Sequence, residues 1–288
     1  LVEAILLVLT LGSTLVIAKG ALGHLGPLTL AALRYCLAAL VLVPLALRED
    51  ARCWTWPPRL WLQLLAIGLA FYALGNGALF LSLKYLPAAT ASLLLGLVPL
   101  IVLLGGIVWL REAPTAGQWI GMAVALIGTF LFFAPGLSTD EPLGLMIGVV
   151  GILGSASLSL LGRPLARDRR VGVFTLTAAP LAIGGLTLLP IALVREGAPR
   201  LDLSTAAVVL LLAIVNTAFV YILYNHVLQT LAAFEVSALA SLSPLVTAIG
   251  AWLFLAEPLI APQVAGMVIM VSGVILIQLT RQPRLSDA

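Results

Sequence analysis

One apolar stretch of this chain carries six polar side chains within eleven positions: Asn216, Thr217, Tyr221, Tyr224, Asn225 and His226. On a helix, Thr217, Tyr221, Tyr224 and Asn225 fall in one stripe at three- and four-residue spacing. An earlier apolar stretch offers Tyr72 and Asn76, and hydroxyls recur at Thr10, Ser13 and Thr14 and again at Ser155, Ser157 and Ser159. Uncharged hydrogen-bonding groups beside aromatic faces are suited to holding a small neutral or zwitterionic, partly apolar solute. The competing reading is hydrogen bonding between helices, worth ~0.6–2 kcal/mol per pair. The candidate binding residues are Tyr72, Asn76, Tyr221, Asn225, Ser13 and Ser241.

Pro99 and Pro244 each interrupt an apolar run near its centre. A proline inside a helix frees the carbonyl four residues earlier, here that of Leu95 or Ala240. Such a carbonyl needs a partner or a water-filled cavity, so the two prolines are candidate bends in gating helices, with a purely structural kink as the alternative. Charge is scarce in these runs, and an intramembrane charge is costly and usually functional. Arg34 lies seven residues into its run, where it can snorkel to the interface or attract a carboxylate. Glu235 stands where a helix should begin, as a favourable partner of the helix dipole; its alternative role is proton carrier, shared with His226. Glu112 and Glu257 read as helix-terminus residues.

Composition decides what surrounds these groups. The chain has 288 residues, 62% of them hydrophobic and 9% charged, with a mean hydropathy of +1.17, against roughly 25% charged in soluble domains. The bilayer is therefore the expected solvent, and helices the expected spans. A formal net charge of +3, widely dispersed, excludes nucleic acid as a partner. No Walker-type loop, HExxH or paired His/Cys spacing implies a nucleotide or metal, no GxSxG serine has an evident base, and no cofactor is expected. Cys36 and Cys53 read as free thiols, and the first apolar run as a retained span instead of a signal peptide.

Cutting at charges and Pro/Gly clusters yields ten spans, about 3–22, 27–47, 60–83, 87–110, 114–134, 142–162, 171–194, 204–230, 233–255 and 259–280, several opening on a first-turn proline (Pro27, Pro87, Pro114, Pro142). Shifting the chain by 145 residues lays Leu81–Phe133 over His226–Gln278 with 17 of 53 positions identical, including Ser92/Ser237, Pro99/Pro244, Glu112/Glu257, Gln118/Gln263, Gly121/Gly266 and Gly128/Gly273. The chain is thus expected to be an all-α integral membrane protein of two five-helix repeats, 1–134 and 142–281. Ten Lys/Arg residues on one side (Arg48, Arg52, Arg59, Arg111, Arg163, Arg167, Arg169, Arg170, Arg281, Arg284) face four on the other (Lys19, Lys84, Arg195, Arg200), which puts both termini in the cytoplasm. An odd number of spans per half then inverts the second half, an architecture of secondary transporters with a midplane site. The faces of Gly144, Gly148 and Gly151, and of Gly117 and Gly121, imply close helix packing; they suit a monomer or a homodimer equally.

The stretch from Leu83-Lys84-Tyr85 to Pro99, then Glu112, Gln118, Gly121 and Gly128, resembles the EamA repeat of the drug/metabolite transporter superfamily. Gly12-Ser13 with Lys19, and Ala31-Ala32-Leu33-Arg34, carry the same resemblance, although Leu11 stands where the family often has Trp, so an aromatic contact from span 1 is not expected. The resemblance implies a ten-helix transporter of prokaryotic inner membranes that exports amino acids, related metabolites or drugs. It also implies a central cavity lined by spans 1, 3, 4, 6, 8 and 9. The expected activity is alternating-access export of a neutral or zwitterionic solute; proton-coupled drug efflux and a membrane enzyme or scaffold are the alternatives.

Overall fold

A long apolar segment can satisfy its backbone in hydrocarbon only by coiling on itself, and every regular element described here is helical. The computed structural model describes residues 2–18, 25–50, 56–82, 85–86, 88–136, 141–168, 171–199, 201–255 and 259–280. Lys19, Arg52, Cys53, Lys84, Pro87, Arg169, Arg170, Arg200, Glu257, Arg281 and Arg284, which enter the expectations above, lie outside the described residues. Ten helical segments run in order: α1 Val2–Ala18, α2 Pro27–Glu49, α3 Pro58–Leu79, α4 Thr90–Leu110, α5 Ala116–Phe133, α6 Pro142–Asp168, α7 Val173–Glu196, α8 Leu203–Val227, α9 Ala233–Gly250 and α10 Ala261–Leu279. Nine of them, α2 to α10, are long and apolar enough to cross a membrane among the described residues. In the first expected span the described helix covers Val2–Ala18, with Glu3–Thr14 as its apolar part, and residues 19–24 lie outside the described residues. Large apolar side chains such as Leu40, Trp109, Ile120, Val194 and Leu279 point outward. They form the lipid-facing surface of a multi-pass membrane protein.

Two boundaries depart from expectation. α6 continues past residue 162 to Asp168, because Arg163 is drawn into the protein, where its Nε lies 3.3 Å from Glu112 Oε1 and its Nη1 donates to the Leu228 carbonyl. Pro114 does not open α5; Thr115 caps it instead, its hydroxyl accepting from Gln118 N–H while Gln118 Oε1 accepts from Thr115 N–H, a reciprocal capping box.

The helices at the centre are irregular in matching places. α3 contains a π segment, Gly68–Gly75, and α8 contains another, Ile214–Phe219; both sit at the same register once the two halves are overlaid. A π turn leaves carbonyls without their usual i+4 partner, and nearby side chains take two of them. Asn76 Nδ2 donates to Phe71 O at 3.2 Å, and Thr217 Oγ1 donates to Leu212 O at 2.9 Å. α4 breaks at Leu97 and α9 at Ser241–Leu242, with Pro99 and Pro244 in the first turn of the segment that follows. The prolines restart helices after a break, where their missing N–H costs least.

Two antiparallel pairs frame this centre. α5 crosses α10 so closely that a methyl group built on Gly121 would stand 2.8 Å from Gly273 O, and one on Gly128 2.7 Å from Gly266 O. Only glycine permits that approach. α2 lies along α7 through Gly185 against Cys36, and each helix caps the other. Glu196, ending α7, accepts from the N–H groups of Leu28 and Thr29 and from the Thr29 hydroxyl. Glu49, ending α2, accepts from the N–H groups of Val173, Phe174 and Thr175. Gly26 and Gly172 leave room for those carboxylates, since a methyl group at either would sit 2.0–2.1 Å from them.

Candidate functional site

The helix breaks and π segments converge on a cavity of about 220 Å³. α3 contributes Phe71 and Asn76; α8 contributes Tyr221 and Tyr224; α6 contributes Ser155, Leu158 and Ser159. The broken helices supply Leu95, Gly96, Val98 and Pro99 from α4, and Ser237, Ala240, Ser241, Ser243 and Pro244 from α9. Leu11 of α1 and Phe133 of α5 complete the wall. Several lining residues are counterparts under the 145-residue shift: Asn76 and Tyr221, Gly96 and Ser241, Pro99 and Pro244. None of the described lining residues is charged. Leu95 and Ala240, whose carbonyls the prolines were expected to release, both line the cavity.

The polar groups are largely oriented by neighbours. Tyr224 and Ser159 hydroxyls are 2.6 Å apart, Ser155 Oγ donates to Gly151 O at 2.9 Å, and Ser241 Oγ donates to Ala238 O at 2.7 Å. Each hydroxyl that donates its proton to the backbone turns lone pairs to the cavity. Behind the wall is an edge-to-face aromatic stack: Tyr221 lies 5.3 Å from Tyr72 and 5.7 Å from Phe71, and Tyr72 lies 5.0 Å from Tyr35, between ring centroids. Such contacts hold rings at fixed angles.

Asn76, Tyr221, Ser241, Pro99 and Pro244 therefore meet at one cavity, whereas the other expected residues stand elsewhere. Tyr72 is 1% exposed and packs behind Tyr221. Asn225, buried, donates to Thr177 Oγ1 at 3.0 Å, and its Oδ1 has no hydrogen-bond partner among the described residues. Ser13 accepts from Asn216 Nδ2 at 2.9 Å, in a polar collar with Thr10 O and Thr14 Oγ1. Glu235, 3% exposed, is held at the start of α9: Gln118 Nε2 donates to its Oε1 at 2.7 Å and Ala232 N–H to its Oε2 at 2.8 Å. His226 is half exposed, with Nδ1 3.3 Å from Glu3 Oε2. Neither of the last two lines the cavity. Phe71 and Phe133 are cavity residues without any polar signature to mark them in the sequence. Among the described residues no three His, Cys, Asp or Glu side chains gather as metal ligands would.

Comparison with known proteins agrees with this architecture. The model of the EamA-like transporter family matches twice, over residues 1–134 and 142–279. Protein PecM of Dickeya dadantii is 30% identical over 228 residues, covering 77% of this chain and 75% of that protein. A protein named probable amino-acid metabolite efflux pump, from Salmonella typhimurium, is 27% identical over 281 residues, covering 94% of this chain and 91% of that one. A solved crystal structure superposes with a TM-score of 0.83 at 18% identity, over 96% of both chains, a likeness of fold.

Proposed function

The chain belongs to the EamA-like transporter family, and from that premise we propose that it moves a small neutral or zwitterionic solute, an amino acid or a related metabolite, out of the cell by alternating access. The observation that carries the reading is the uncharged, hydroxyl-rich cavity between the broken helices. At about 220 Å³ it is smaller than the roughly 300–1,000 Å³ of pockets for drug-sized ligands, which favours an amino-acid-sized cargo over a broad drug exporter. Asn76, Tyr221 and Ser241 contact the solute, Tyr224 and Ser159 extend the hydrogen-bonding wall, and Tyr72 stiffens Tyr221 from behind. The breaks before Pro99 and Pro244 are where the gating helices bend.

The halves are inverted repeats of five spans, 1–134 and 142–281, in a prokaryotic inner membrane with both termini cytoplasmic. Support comes from the α5–α10 and α2–α7 pairs, whose members are counterpart helices running in opposite directions. Counterparts that pack antiparallel are what a twofold axis in the membrane plane produces. The name of the Salmonella typhimurium relative agrees with amino-acid export.

Solute counterflow in proteoliposomes tests this, with a panel of neutral, aromatic and charged amino acids plus one cationic drug, with and without a pH gradient. Exchange of neutral amino acids is expected, and Asn76→Ala combined with Tyr221→Ala should abolish it while the protein remains monodisperse. Normal transport by the double variant would remove the cavity assignment. Movement of the drug alone, rising with the gradient, would replace this reading with proton-coupled efflux.

A further inference from the structure

Arg34 stands seven residues after Pro27 in α2, about 10 Å along the helix axis, and it is half-buried against α8. Its Nε donates to Thr217 Oγ1 in the π segment of α8 at 3.2 Å. That hydroxyl already gives its own proton to Leu212 O, so it can only accept from the guanidinium. Thr217, fully buried, thereby fixes one edge of the planar fork. Arg34 has no ion-pair partner among the described residues. A guanidinium at membrane depth is expensive unless function retains it. Two features set its surroundings. Next to Thr217, Asn216 draws Thr10, Ser13 and Thr14 of α1 into a polar collar, with its own buried Oδ1 left without a partner among the described residues. One helical turn beyond Thr217 comes Tyr221, on the cavity wall.

We propose that Arg34 is the carboxylate subsite of the transported solute, its Nη edge binding the anionic end while the remainder lies against Tyr221 and Tyr224. This deepens the transport reading and rests on it: the cargo is narrowed from any small neutral or zwitterionic molecule to one bearing a carboxylate. A planar fork pairs with a carboxylate through two parallel hydrogen bonds, which a lysine cannot reproduce. The expected residue Ser13 then belongs to the site through the Asn216 collar.

The test pairs each of the twenty amino acids with its own amide in proteoliposome uptake and in thermal stabilisation of the detergent-solubilised protein. The wild-type chain should prefer at least one acid over its amide by about tenfold or more, as a charge-assisted bidentate pair would give. Arg34→Gln should erase that preference by weakening the acid, leaving the amide within about twofold of its wild-type value. Equal handling of acid and amide by the wild-type chain, or a preference that survives Arg34→Gln, overturns the subsite and leaves the transport reading standing. Equal loss of acid and amide in a monodisperse Arg34→Gln protein also overturns it, because Arg34 would then only tie α2 to α8. Should no acid or amide be moved or bound by the wild-type chain, the transport reading falls and the subsite with it. If the glutamine variant does not remain monodisperse, Arg34→Lys decides: a reduced preference supports the subsite, and an unchanged one refutes it.

Discussion

Glu235 illustrates how much a side chain's role depends on what occupies its lone pairs. Gln118 takes one oxygen and the Ala232 N–H the other, so the carboxylate is committed to starting α9 and joining it to α5. Glu235→Ala would strand two buried donors at a cost of about 1–3 kcal/mol each. The variant should therefore melt at a lower temperature in detergent while whatever response transport shows to a pH gradient stays that of the wild type. A normally stable variant with an altered gradient response would return Glu235 to the proton-carrier role. The Tyr224–Ser159 pair makes a second, smaller prediction. Tyr224→Phe removes a hydroxyl contact worth about 1 kcal/mol and leaves the buried Ser159 hydroxyl without it, so solute affinity should fall by a few-fold and the melting temperature should fall modestly. At this scale the sequence was a partial guide. Asn76, Tyr221, Ser241 and the two prolines were legible because repeat register and polarity marked them. Tyr72 was expected beside Asn76 as a polar aromatic in the same span, whereas it lies buried against Tyr221 within a π segment that the sequence does not announce. Phe71 and Phe133 were invisible, since an apolar ring facing a cavity looks in sequence like one facing lipid.

The α2–α7 clasp is the element-scale feature that the sequence did contain and that its reading missed. Gly26-Pro27-Leu28-Thr29 corresponds to Gly172-Val173-Phe174-Thr175, and Pro44 through Glu49 to Pro190 through Glu196. These helices match at a shift of 146 from Gly26 to Pro44 and of 147 at Arg48-Glu49, so the 145-residue shift that aligns the later spans does not find them. Helix-end glutamates also look like ordinary surface charges until the partner helix is in place. Each carboxylate satisfies N–H groups that the first turn of a helix otherwise leaves without partners, and it adds a favourable interaction with the helix dipole. Loss of a cap typically costs about 0.5–2 kcal/mol. Glu196→Ala should therefore speed amide exchange at the start of α2, over Leu28 to Leu30, and leave the start of α7 protected. Glu49→Ala should do the reverse, over Val173 to Leu176. Gly26→Ala should mimic Glu196→Ala, because the added methyl group would occupy the space of the Glu196 carboxylate; unchanged protection in that variant would mean the clasp does not stabilise the helix start.

Seen across the whole molecule, the clasp and the glycine crossing say which parts of the protein can move. The α2–α7 pair is held at both ends at once, by Glu196 at one and Glu49 at the other, and α5 and α10 touch backbone to backbone. Close-packed seams of this kind resist sliding. The breaks at Leu97 and Ser241–Leu242, by contrast, lie beside the cavity with prolines that cannot rebuild the missing bonds. Opening to either side of the membrane should therefore bend α4 and α9, and carry α3 and α8, against two static seams. Paired cysteines separate these possibilities, in a chain whose Cys36 and Cys53 have been changed to Ser. A bridge between positions 46 and 175, where Thr175 Oγ1 lies 3.3 Å from Ala46 O, crosses a seam and should leave counterflow near its uncrosslinked rate. A short bis-methanethiosulfonate linker, joined through a disulfide to each of two cysteines at positions 95 and 240, ties the two broken helices across the cavity wall and should stop counterflow, with activity returning when a thiol reductant breaks those disulfides. The opposite pattern would mean that the halves part along α2–α7 and that the cavity helices move as rigid bodies.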